Sequence, residues 1–586
     1  MKKIIGLIVV CMMITACSHT DKSKNEVVNL DAQFDTFKTG FIEELWKIFP
    51  SWASAEGMHD YDHILTIPND SYRNEVIQFL DSSKARLSRF NLKSLSGGNT
   101  TDYYLIRDFI DGQYFQLNEL KSYEWNPSQY NLGGQFFTVL NYRDHSLEKR
   151  LQNISEKLKA VGDYYTTARN EITAPTLVHT NLAIQQLKGS INVFDKAIRD
   201  SLNVSSLSDS EKNNITLLVD SAVASINGFV GWLENELKPQ VERGERSIDF
   251  RLGTDLYEKK FKFNMSSTFT AREIYQKAIE RKNDLHEKMF ALTKKMWPKY
   301  LPESKMPEWK EDAIRMMIDT LSGIHAHRDS FIVTIRKQIP ELEQFVIEND
   351  LMTLDPEKPL VVRATPEYMR GVAGASISAP GPYDSEAETY YNVTPLDHYS
   401  PEQAESYLRE YNQYMLQILN IHEAIPGHYT QLIYSNQSPS LIKSILGNGA
   451  MIEGWAVYSE LMMLENGYGN HSDELWLMYY KWNLRTVCNT ILDYSVHVLS
   501  MNEEEALQLL MKEAFQQEEE ARGKWRRVQL SSVQLCSYFT GFYEIMELRK
   551  ELQKRKGESF DLKAFHEEFL SYGSAPVKYI RQLMLK

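Results

Sequence analysis

The chain has 586 residues, 42% hydrophobic and 25% charged, with a formal net charge of −14. That composition is ordinary for a globular protein with a sizeable core. The acidic balance argues against nucleic acid as a partner, because phosphate recognition needs a basic footprint.

The N-terminus reads as an address. Lys2 and Lys3 precede an apolar run from Ile4 to Ile14, shorter than a lasting membrane span of ~20 residues. The run ends in Ile14-Thr15-Ala16-Cys17, which resembles a bacterial lipobox. In that motif the thiol takes a lipid and becomes the first mature residue. The expected plan is a signal peptide at 1–16, lipidation at Cys17, a polar tether at 17–30 and one body at 31–586. The expected location is the cell envelope, with the chain held to a membrane by its N-terminal lipid. Ser18 after the lipidated residue favours the outer membrane where the host has one. No later stretch reads as long and apolar enough to span a bilayer. Cys488 and Cys536 are the other mature cysteines, too few for a disulfide framework or a Cys-rich zinc site, and are read as buried free thiols.

Most of the body carries helical periodicity. Between Ser146 and Asn170, apolar Leu147, Leu151, Ile154, Leu158, Val161 and Tyr165 recur at spacings of three and four. Similar patterns run through 101–120, 177–202, 208–239, 270–296, 308–338, 402–422, 440–466, 473–500 and 503–555. The 28 glycines and 19 prolines fall mostly between these stretches. The expected fold is mainly α, with long packed helices in two lobes around a cleft, about 31–360 and 361–586. One region departs from the pattern. Gly371 to Pro382 and Glu388 to Thr394 combine small, β-branched, Gly and Pro residues, which predicts a small β-hairpin or edge-strand element near 370–396. Such an edge could hold a peptide backbone by strand addition, or could be a plain structural hairpin.

The chemistry concentrates downstream, in His422-Glu423-Ala424-Ile425-Pro426-Gly427-His428 and Glu453-Gly454-Trp455-Ala456. Two imidazoles and a carboxylate suit Zn²⁺, and a Glu beside the first His is placed to take a proton from zinc-activated water. Six residues turn a straight helix by about 600°, which puts His428 on the wrong side. Pro426 cannot donate to the carbonyl of His422, so the helix must break there, and Gly427 permits the backbone that swings His428 back. Glu453 heads an apolar helical run and needs a partner, which a metal supplies. Glu460, seven residues on, shares its face and is read as the acceptor that orients a ligand imidazole.

The His-Glu-Ala-Ile-Pro-Gly-His and Glu-Gly-Trp-Ala segments resemble the bacterial family catalogued as domain of unknown function 885. That family is regarded as related to the gluzincins, zinc peptidases with two His ligands and one Glu. The resemblance covers most of the mature chain and includes the Trp525 to Arg549 stretch. Glu-Gly-x-Ala-x-Tyr-x-Glu, from 453 to 460, also resembles the third-ligand segment of thermolysin-like and aminopeptidase-type gluzincins. The resemblance implies Zn²⁺ on His422, His428 and Glu453, with Glu423 as general base. The six-residue His spacing matches the first family and departs from the wider clan.

A peptidase also needs a donor for the oxyanion. Asp493 and His497, four apart on one helical stretch, form one candidate pair, the Asp fixing the His tautomer. Tyr538 resembles the tyrosine donor of related helical zinc peptidases. Arg485 is a candidate for a substrate carboxylate, or else a solvent-facing charge. His286-Glu287, His325 with His327, and His59 with His63 lack a third ligand of matching character. The expectation is a lipid-anchored zinc metallopeptidase acting on a peptide substrate. A non-catalytic helical lipoprotein that binds a partner, or a metallo-amidohydrolase on a non-peptide amide, are the alternatives.

Overall fold

The computed structural model describes residues 20–142, 145–355, 359–365, 375–378, 381–383, 388–438 and 440–586. The signal peptide, Cys17 and part of the predicted hairpin lie outside the described residues. The fold is mainly α. Its first helix, Thr20–Ile48, begins inside the segment read as a tether.

The periodic stretches are helical, yet several are divided. Ser146 to Asn170 forms two helices, Leu147–Leu158 and Val161–Glu171. Leu151, Ile154, Leu158, Val161 and Tyr165 are buried as the spacing predicts. The 308–338 pattern splits into Lys310–Ser322 and Phe331–Glu348. The 503–555 pattern contains Glu503–Gln508, Glu518–Leu530 and Ser537–Lys556, broken where Phe515 and Val533 adopt left-handed backbone. Neither break carries the Gly or Pro that would have marked it in the sequence.

Among the described residues three strands form the small sheet, in the order β1 (Leu360–Ala364), β3 (Thr389–Val393), β2 (Ala375–Ser378). β1 runs parallel to β3, while β2 pairs antiparallel to it, with Ala375 opposite Val393. Tyr391 on β3 donates its hydroxyl to Asn420 Oδ1 at 2.8 Å, tying the sheet to the helix that ends at Glu423.

The apolar interior does not divide at residue 360. One buried cluster draws together residues 34–110, 257–352 and 391–580. A second, smaller cluster joins Leu65 to residues 130–241. Helices on both sides of residue 360 share the larger cluster, and residues 130–241 form a satellite bundle with a cluster of its own. Asp209–Glu242 is long and apolar enough to cross a membrane, contrary to the sequence reading. Its Ile215, Val219, Ile226, Phe229, Leu233 and Leu237 are buried in the satellite cluster, as in a core helix.

Two helices of the main body touch backbone to backbone. Gly449–Glu465 crosses Ser537–Lys556 where Gly454 meets Gly541. A Cβ on Gly541 would sit 1.7 Å from the Ala450 carbonyl oxygen and 2.8 Å from Gly454 Cα. This crossing sets Glu453 and Tyr538, each next to the contact, toward a common space. Gly541→Ala is expected to destabilise the chain by about 3 kcal/mol or more, because the clash is with backbone. An unchanged thermal unfolding midpoint would contradict this crossing.

Candidate metal centre

The Gln413–Glu423 helix delivers His422 and Glu423 in its last turn. Asn412 caps its start, accepting from the amides of Tyr414 and Met415. The helix ends where Ala424 leaves helical backbone, and a new helix, His428–Asn436, begins after Gly427. The Ile425–Pro426 peptide is cis. A Cβ on Gly427 would lie 1.9 Å from the carbonyl oxygen of His422 and 2.4 Å from that of Ile421, so only glycine fits. The Gly427 amide donates to Ile421 O at 3.0 Å, and Trp455 Nε1 donates to Pro426 O at 2.9 Å. The break therefore folds back over the helix it terminates.

That reversal brings His428 to His422, with ring centroids 4.8 Å apart and planes at 87°. Glu453 Oε2 lies 3.4 Å from His428 Nε2 and 3.9 Å from His422 Nε2. Glu453 Oε2 is buried yet makes no hydrogen bond of good geometry. Two turns along the same helix, Glu460 Oε1 sits 2.6 Å from His422 Nδ1. With His422 Nδ1–H donating to that oxygen, His422 Nε2 is left facing Glu453 and His428. Trp482 Nε1 donates to the same Glu460 oxygen at 2.9 Å.

Electrostatics follow the geometry. Burial, with the His428 and Arg485 charges adding, pushes the His422 imidazole down to about 3. Burial raises the Glu423 carboxyl to about 7, against the pull of His428. Burial disfavours the charge on both His428 and Glu453, but their mutual pairing outweighs it, so the imidazole is raised and the carboxyl lowered. The Tyr538 hydroxyl, half-buried, faces Glu453 and adds to that lowering. Burial also lifts Glu460 far above the usual carboxylate range.

The donor set fits zinc. The three candidate ligand atoms lie within 4.8 Å of one another. A tetrahedral ion with donors at ~2.1 Å would set them ~3.4 Å apart. An orphaned buried carboxylate oxygen between two imidazoles is what a cation would satisfy.

Of the residues singled out in the sequence, His422, Glu423, His428, Glu453, Glu460 and Tyr538 converge. His497 and Asp493 do not join them. His497 is fifteen residues beyond Trp482 on the Asp473–Val498 helix, roughly 22 Å along its axis. Its Nε2 donates to Val528 O at 2.9 Å. Asp493 does not orient that ring, since it accepts from Tyr257 Oη, Val533 N and Leu535 N at 2.7, 2.8 and 3.2 Å. Arg485 is not solvent-facing. It pairs with Glu520 at 2.7 Å and lies over the Trp482 ring. Cys488 and Cys536 are free and buried. Of the discounted histidines, His59, His286, His325 and His327 have structural partners, as where His286 Nε2 donates to Glu513 O at 2.7 Å. Trp482 is the contributor the sequence reading missed. It sits on a separate helix, so no local spacing links it to Glu460.

Comparison with known proteins agrees on the fold. A putative lipoprotein of unknown function from Shewanella oneidensis is 51% identical, with a TM-score of 0.88 over 94% of this chain and 100% of that one. A putative lipoprotein from Colwellia psychrerythraea, 17% identical, shares the fold with a TM-score of 0.74 over 96% of this chain and 99% of that one. No curated protein matches. The model of the family described as bacterial protein of unknown function (DUF885) matches residues 50–584, and the chain belongs to that family.

Proposed function

We propose that this chain is a zinc-dependent peptidase held to the cell envelope by a lipid on Cys17. The observation that carries the reading is the meeting of His422, His428 and Glu453 around an unsatisfied carboxylate oxygen, with Glu423 beside them. His422 Nε2, His428 Nε2 and Glu453 would hold the ion. When bound, zinc supplies Lewis acidity, polarising an amide carbonyl and bringing the pKa of water toward ~7.

The chain's own groups supply the rest. Glu460 fixes the His422 ring through Nδ1, and Trp482 fixes Glu460. Glu423 takes a proton from the attacking water and returns it to the leaving amine. Tyr538 donates to the oxyanion that develops on the carbonyl. β2 pairs on one side only among the described residues and packs on the helix that carries His422, which leaves an edge for an extended substrate backbone. The lipobox-like Ile14 to Cys17 segment supports the anchor, as do the lipoprotein descriptions of the two related structures.

Protein purified with zinc present is expected to hold about one zinc per chain by elemental analysis, and His428→Ala to lose it. Absence of zinc from the wild type overturns the metal reading. Glu423→Gln should retain the metal and melt like wild type, while hydrolysis of a peptide library, read by mass spectrometry, falls about 100-fold or more. Undiminished hydrolysis by that variant removes Glu423 from the mechanism. Cys17→Ser should move the chain from the membrane to the soluble fraction of cells. Unchanged membrane association would rule out the lipid anchor.

A further inference from the structure

Arg527 stands beside the metal centre without an acidic partner. It lies in the last turn of the Glu518–Leu530 helix and is exposed. A cation at that position commonly serves the helix's own last carbonyls. The Arg527 guanidinium instead reaches past the left-handed turn at Val533 to the start of the next helix. Its Nη2 donates to Gln534 Oε1 at 2.7 Å and lies 3.4 Å from the Tyr538 hydroxyl. That hydroxyl faces Glu453.

The wall around Arg527 is rich in cations. Glu520, Lys524 and Arg527 recur at spacings of four and three, so they share one helical face. Arg485 crosses from the Asp473–Val498 helix to pair with Glu520 at 2.7 Å, and its charge is felt at His422. Lys524 is buried and donates to Asn489 Oδ1 at 2.6 Å. Glu410, whose charge Arg485 also feels, is taken by Lys481 at 2.8 Å. Both contacts of Arg527 use Nη2, and among the described residues no carboxylate pairs with its guanidinium. The hydrogens on Nε and Nη1 are left for a ligand. In a chain whose net charge is −14, such a wall favours an anionic group on the substrate.

We propose that Arg527 receives a carboxylate of the substrate close to the cleaved bond, either its C-terminus or an acidic side chain. The inference rests on the peptidase reading above and names the substrate class for it. Guanidinium donors with no acid already paired suit a carboxylate better than any neutral group. Tyr538 sets the distance. A hydrogen bond from its hydroxyl to the reacting carbonyl oxygen spans about 2.8 Å. Arg527 Nη2 lies 3.4 Å from that hydroxyl. Consecutive residues of a peptide are about 3.8 Å apart. A carboxylate held by Arg527 therefore belongs to the residue adjoining the cleaved bond or to the one beyond it.

Titration calorimetry tests this with N-acetyl-tetraalanine as the free acid, the same peptide as its C-terminal amide, and N-acetyl-trialanyl-glutamate amide. The full chain carrying Glu423→Gln is used, so that no probe is hydrolysed during the titration. A carboxylate probe should bind about tenfold or more tighter than the plain amide. The glutamate amide tells the two sources apart. Affinity like the free acid's admits a side-chain carboxylate, and affinity like the plain amide's confines the receptor to the C-terminus. Adding Arg527→Gln should bring the carboxylate probes down to the plain amide, whose own affinity stays unchanged. Damage to the fold would weaken all three alike. If neither carboxylate probe exceeds the plain amide, the inference is overturned, as it is by a preference that survives Arg527→Gln. No saturable binding of any probe also overturns it. Should the Arg527→Gln chain fail to fold, Arg527→Lys takes its place, and an undiminished preference there overturns the inference. None of these outcomes depends on hydrolysis, so the peptidase reading stands or falls separately, on zinc content and library digestion.

Discussion

The candidate centre depends on one close backbone approach, that of Gly427 to the carbonyls of Ile421 and His422. A helix that ran on through Pro426 would carry His428 away from His422. Here the helix stops at Glu423, four residues fold back over it, and the next helix starts at His428. The fold-back is held from outside as well as within. The Gly427 amide returns to Ile421 O, and Trp455 and Ser459 both donate to Pro426 O. Trp455 and Ser459 lie on the helix that carries Glu453 and Glu460. The element that supplies the carboxylates therefore also fixes the turn that presents the second imidazole.

Burying this constellation works against folding. Two imidazoles and the three carboxyls of Glu423, Glu453 and Glu460 are withdrawn from water, and Glu453 and Glu460 each retain an oxygen that makes no hydrogen bond. Each such orphan costs about 1–3 kcal/mol. Apolar packing around it is what offsets that cost. Trp455, Tyr458, Met462 and Met463 are fully buried on the same helix. Polar groups left short of partners inside a well-packed body are the ordinary mark of a site shaped for something other than stability.

How much could be read from the sequence follows from the range of each interaction. Helical periodicity is local, and it located the helices and their buried faces well. The pairs His422–Glu423 and Glu453–Glu460 are also local, being neighbours or two turns apart on one helix, and they were legible as groups. The reversal at Pro426-Gly427 was legible because both residues state a backbone constraint. The breaks at Phe515 and Val533 were not, because non-glycine residues in left-handed backbone are held there by tertiary contacts alone. The same reason hid the partners of His497. Its spacing to Asp493 is right for a contact on one face, but both side chains are claimed by the 528–535 segment, far along the sequence.

That segment gives Asp493 a different importance from the one its spacing implied. It clasps the amides of Val533 and Leu535 across the left-handed turn, and Tyr257 donates to the same carboxylate. The helix beginning at Ser537 starts two residues later, and Tyr538 stands in its first turn facing Glu453. On the other side of the turn, Ser531 and Ser532 take the hydrogen bonds of His497 and Lys260. One buried aspartate thus fixes the direction in which the chain leaves the 528–532 segment and enters the helix that carries Tyr538.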